Sequence, residues 1–90
     1  MRIKDGFVLR EIAGQRIVIA LGEASQKFHG MINLNETSGF IWKCIENGMS
    51  EEEITEKIVE EYEVNYEKAN CDIKKVVLKL EKLGVLEDIS

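Results

Sequence analysis

The side chains able to do chemistry are few and scattered. His29 is the only histidine, and it falls in the stretch from Gly22 to Gly30, a polar loop with glycine at each end, where an imidazole is expected to be a solvated surface group and not a general base. Cys44 and Cys71 are far apart and neither stands in a CxxC pair, so a redox motif or metal site is not expected; both thiols are expected to lie half-buried on helices. Glu51, Glu52, Glu53, Glu56, Glu60 and Glu61 crowd one segment, but a helix that buries its other side explains them as a solvated face without any acid/base pairing. No G-x-S-x-G, HExxH, Walker A or G-x-G-x-x-G sequence occurs, so the usual nucleophile, zinc, phosphate and dinucleotide signatures are missing. Neither catalysis nor a cofactor is expected. Two further features stand out without carrying chemistry of their own, an uncharged strand-like stretch, Met31-Ile32-Asn33-Leu34, and a lysine-bearing segment with Lys68, Lys74, Lys75, Lys79 and Lys82.

The elements that must position these groups can be read from the hydrophobic period. Phe7 to Ile12 and Arg16 to Leu21 are rich in β-branched and aromatic residues, and Ala13-Gly14-Gln15 between them supplies a turn, which predicts a β-hairpin. Ile17, Ile19 and Leu21 share one face and Val18 and Ala20 the other, so both faces are expected to be covered in part. Met31 to Leu34 makes a third, short strand. At Asn35 the period changes to 3.6: Asn35 can cap a helix through the amide of Thr37 or Ser38, and Phe40, Ile41, Cys44 and Ile45 form its apolar stripe up to Gly48. Trp42, at the border of that stripe, is expected in the core. Ser50 and Glu53 form a capping box for a second helix that buries Ile54, Ile58, Val59 and Tyr62. The third helix starts near Asn65, carries Ala69, Ile73, Val76, Val77, Leu80 and Leu83 at spacings of three and four, and stops at Gly84, after which Val85 and Leu86 pack back as an apolar tail.

Ninety residues support one core, so residues 1–90 are expected to form a single domain. The 44% hydrophobic content suffices to fold it. Strands followed by helices indicate an α+β domain, winged-helix-like, with a three-stranded antiparallel sheet followed by three helices. No apolar run approaches the roughly 20 residues of a membrane span, and no signal-like apolar block follows Met1, so a cytoplasmic protein without membrane contact is expected. A net charge of -5 repels phosphate backbones, which disfavours nucleic acid.

Ile32-Asn33-Leu34-Asn35-Glu36-Thr37, then Ile41-Trp42, Glu46-Asn47-Gly48, Ile54, Ile58, Tyr62-Glu63-Val64, Asp72-Ile73 and Leu80-Glu81-Lys82-Leu83-Gly84-Val85-Leu86 together resemble the PqqD family over roughly residues 7 to 88. The chain departs from that pattern at Gly39, where alanine is common, and in the number of glutamates opening the second helix. The resemblance implies a RiPP recognition element: a domain that takes the leader of a ribosomally made precursor peptide as an added strand beside the third strand and against the third helix. It then presents the leader to a maturase, often a radical SAM enzyme. Pyrroloquinoline quinone, a lasso peptide and a thioether peptide are alike compatible as products.

The residues suit that task. Met31, Ile32, Asn33 and Leu34 form an edge without proline or charge, open to main-chain pairing; two of the four are expected to face the core and two the guest, and Ile32→Pro is expected to remove an edge donor. Lys68, Lys75, Lys79 and Lys82, with Ile73 and Val76 beside them, would line the opposite wall and steer an acidic leader, each exposed ion pair adding only ~0.2–1 kcal/mol. An open edge also allows self-pairing into a homodimer. The competing reading is a winged-helix DNA-binding regulator with the third helix in the major groove. The arginines Arg2, Arg10 and Arg16 lie outside that helix, which weighs against it.

Overall fold

The computed structural model describes residues 1–28 and 30–87; His29 lies outside the described residues. In chain order the elements are β1 (Arg2–Ile3), β2 (Phe7–Ile12), β3 (Gln15–Ala20), α1 (Ala24–Lys27), β4 (Met31–Leu34), α2 (Glu36–Glu46), α3 (Glu51–Tyr62), α4 (Tyr66–Lys82) and β5 (Leu86–Glu87). The fold is α+β. Strands β2, β3 and β4 form an antiparallel sheet in that order, and β1 pairs with β5 in a second, two-stranded antiparallel ribbon.

Local chemistry accounts for most boundaries. Ala13 and Gly14, with φ of 53° and 79°, make a two-residue turn of the mirror-image type that suits the twist of flanking strands, so Gln15 opens β3 and does not belong to the turn. Asn35 accepts from the Ser38 amide at 2.8 Å and starts α2. The reciprocal Ser50 and Glu53 bonds at 3.1 and 3.0 Å start α3, and Asn65 accepts from the Lys68 amide to start α4. Helix α4 closes with Gly84 at φ 77°: its amide bonds the Glu81 carbonyl and the Val85 amide bonds that of Leu80, a Schellman closure that satisfies the last orphan carbonyls.

Two features differ from the expected outline. Ala24 to Lys27 forms a single helical turn inside the loop, and the Leu86 tail is a strand paired with Ile3. Elements of two to four residues leave no measurable period, which is why neither shows in the sequence.

One core joins all layers. It holds Val18, Ile32 and Leu34 from the sheet, Ile41, Trp42, Cys44 and Ile45 from α2, Ile54 and Ile58 from α3, Ala69, Ile73, Val77 and Leu80 from α4, and Val85 and Leu86. Trp42 is fully buried, so the indole serves the core. Thr55 is buried too, with its hydroxyl donating to the Glu51 carbonyl at 2.8 Å and accepting from Asn70 Nδ2 at 3.2 Å, a polar link between α3 and α4. Among the described residues, no helix is long and apolar enough to cross a membrane.

Candidate peptide-binding site

Strand β4 pairs with β3 along one side only, and its other side is an edge of the sheet among the described residues. Its side chains alternate: Met31 and Asn33 are exposed, Ile32 and Leu34 buried. The pair that faces the core is therefore Ile32 and Leu34, left open by the sequence.

The main-chain groups follow from register. In a hairpin closed by a two-residue turn, the flanking residues Ile12 and Gln15 exchange hydrogen bonds, and the direction of the backbone groups then alternates along β3. Gln15, Ile17 and Ile19 thus point their N–H and C=O toward β2, and the Leu21 amide, bonded to the Gly6 carbonyl, continues the series. Arg16 and Val18 point toward β4. Their partners are Leu34 and Ile32, so the Ile32 and Leu34 backbones are spent on β3, while those of Met31 and Asn33 face the open edge. This corrects the expected effect of Ile32→Pro. The amide it deletes belongs to the β3–β4 ladder, and the edge donors are Met31 and Asn33.

On α4, the structure separates the expected site residues by depth. Ile73 is fully buried and has no surface to offer a guest, whereas Val76 is half-buried and Lys68, Lys75 and Lys79 are exposed. Their spacing of seven and four residues places the three lysines on one flank. Lys68 meets Asp72 at 3.7 Å, an exposed i,i+4 pair, and of the three lysines Lys75 and Lys79 make no ion pair within 4 Å among the described residues.

Three features were not read from the sequence. The first is a shallow groove on α4's other flank, lined by Tyr66, Glu67, Asn70, Cys71, Lys74, Lys75 and Leu78. The four-residue spacing of Tyr66, Asn70, Lys74 and Leu78 was its available signal. The second is Cys71, which is exposed where a half-buried thiol was expected, while Cys44 is buried; burial pushes the Cys44 thiol up, partly offset by Lys57, which keeps it protonated and inert. The third is the reason for Gly39. A Cβ there would stand 2.5 Å from Arg16 Cδ and 3.2 Å from Nε, so the glycine lets the Arg16 chain cross α2 beside Leu34, its cross-strand partner. Among the described residues no three His, Cys, Asp or Glu side chains converge on a point where a metal could sit.

Comparison with known proteins places this geometry. A family model, Coenzyme PQQ synthesis protein D (PqqD), matches residues 15–86. The structure of TbiB1 in complex with the TbiA(beta) leader peptide superposes with a TM-score of 0.82 at 24% identity, covering 100% of this chain and 99% of that one. Lasso peptide synthetase B1 complexed with the leader peptide gives 0.80 at 20% identity, covering 97% and 96%. At these identities the likeness is one of fold. No curated protein sequence matches significantly.

Proposed function

This chain belongs to the PqqD family, whose model spans residues 15–86, and on that premise we propose that it binds the leader segment of a ribosomally synthesised precursor peptide and presents it to a modifying enzyme, with no catalysis of its own. The observation that carries this reading is the free edge of β4. Among the described residues the Met31 and Asn33 backbone groups that face the edge meet no partner strand, and beside them Ile32 and Leu34 extend the core. A guest strand added there gains main-chain hydrogen bonds, and its alternate side chains meet the margin of that apolar layer. Two fold relatives of similar length are complexes with leader peptides, which supports the same role here.

The contact set we assign is Met31 and Asn33 through their backbones, Ile32 and Leu34 through the rim of the core, and Val76, Lys75 and Lys79 on α4, with Lys68 at the margin, its charge partly offset by Asp72. Ile73 supports the wall from within. The lysines select an acidic stretch of the guest and mainly raise its rate of arrival. Residues 1–90 act as one domain, in the cytoplasm, where a leader and its maturase would meet; a radical SAM enzyme is one such maturase. The DNA-binding reading gains nothing from the fold's charge, since the one run of cations on α4 is matched by the glutamates of α3.

A titration separates the two readings. Fluorescein-labelled leader of the precursor encoded beside this chain should bind saturably, and labelled duplex DNA at low salt should not. Submicromolar DNA binding with a steep salt slope and no leader binding overturns the proposal.

A further inference from the structure

The sheet has a second face that the core does not use. Phe7 and Leu9 pack on the core beside Val18, Ile32 and Leu34, and Glu11, of the same parity, reaches Lys43 of α2 at 3.6 Å, which identifies the helix-facing side. The alternate residues Val8, Arg10, Ile12, Ile17, Ile19, Met31 and Asn33 face the other way, and none of them belongs to the core cluster. Ile12 and Met31 are 55% and 66% exposed. Ile17, which is buried, lies between its cross-strand partners Arg10 and Asn33.

The charge on this face is unusual for the chain. None of the acidic side chains among the described residues lies on it, and its one cation, Arg10, makes no ion pair among the described residues. A second copy stacked on this face would offer Arg10 no carboxylate among the described residues. The chemistry that complements it is an apolar patch with a carboxylate for Arg10, which a different protein can supply and a second copy cannot. It is also continuous with the edge of β4: a guest strand paired there widens the sheet, and its outward side chains fall in line with Met31 and Asn33.

We propose that the modifying enzyme docks on this outer sheet face, covering Val8, Ile12 and Ile19 with apolar surface and pairing a carboxylate with Arg10, so that it reads the sheet and the added leader strand together. The inference rests on the leader-binding reading above. Its chemistry explains why a leader-binding domain would leave an apolar sheet face uncovered, since exposed patches of this kind on small domains mark interaction sites.

The test uses the full chain and two variants at exposed positions away from β4, Arg10→Glu and Ile12→Asp, each checked for an unchanged far-UV spectrum and melting temperature. The enzyme encoded beside this chain is immobilised and capture is measured by biolayer interferometry, while leader binding is followed separately by anisotropy and self-association by sedimentation velocity. The expected result is that both variants bind leader within twofold of the parent and lose at least tenfold in enzyme capture. Unchanged capture by both variants overturns the docking site. A parent dimer that the variants abolish would overturn it in favour of a second copy. A parent that captures enzyme but not leader sinks the underlying reading through the anisotropy channel alone.

Discussion

Replacing Asn33 by proline addresses the open edge with little else disturbed. Asn33 is exposed and its backbone faces away from β3, so the substitution removes one N–H for which the described residues hold no strand partner, and proline is tolerated on edge strands for that reason. A ladder hydrogen bond contributes about 0.5–1.5 kcal/mol net, which converts to a roughly 2- to 12-fold rise in the leader's Kd; the proline ring, projecting where the guest backbone must approach, pushes the loss to the upper end of that range. Ile32→Pro is the internal control. It breaks the hydrogen-bonded pair with Val18 and should lower the melting temperature, while Asn33→Pro should shift it far less. Anisotropy with a labelled leader reads the first effect and differential scanning calorimetry the second. A folded Asn33→Pro variant with the parent's Kd would refute the assignment of edge donors, and a stable Ile32→Pro variant with weakened leader binding would show that the parity is reversed.

Reversing Lys75 and Lys79 to glutamate should slow association with an acidic leader several-fold at low salt, the loss shrinking as ionic strength rises; a salt-insensitive loss, measured by stopped flow, would mean the lysines act through packing. Gly39→Ala in an Arg16→Ala background should stabilise α2 by about 0.5–1 kcal/mol through helix propensity, or ~4–8 °C of melting temperature per kcal/mol. In the parent the same change should yield less, because Arg16 must move; strictly additive melts would show no contact between them. The hydrogen bonds from the Ser50 amide and hydroxyl hold the Glu53 carboxyl below its usual range. Its folded value is depressed, so its contribution is complete above the ordinary carboxylate range and fades as pH falls through the lower folded value. Glu53→Gln should accordingly flatten the acid limb of stability in urea melts from about pH 6 to 3, and parallel limbs would contradict this.

Some of the fold is written in single residues. Asn35, Ser50 with Glu53, and Gly84 announce their helix ends because each satisfies orphan backbone groups in a way few residues can. Met31 to Leu34 is bounded by Gly30 and Asn35, and its limits could be read from those two. The exchange of sides was not legible: whether Met31 and Asn33 or Ile32 and Leu34 face the guest depends on the two-residue turn at Ala13-Gly14, which ends seventeen residues before Met31 and sets the parity of β3 and so of β4. Counting Gln15 into that turn shifts the parity by one residue and turns every backbone group around. Ile73 was grouped with Val76 as a contact residue because both lie on the apolar stripe; depth within a stripe depends on what packs above it, here α2 and α3. Gly39 registered as an oddity, and only the path of Arg16 explains it.

The ribbon of β1 and β5 sets Arg2 directly opposite Glu87, joined further by an ion pair at 3.5 Å. Polypeptide thus enters and leaves the domain at points about 4.5–5.5 Å apart. A domain with such a shared doorway can be spliced into a surface loop of a larger protein without prising its host open, and it should survive being re-threaded, its old ends sewn together by a few glycines and new ends cut at Gly48.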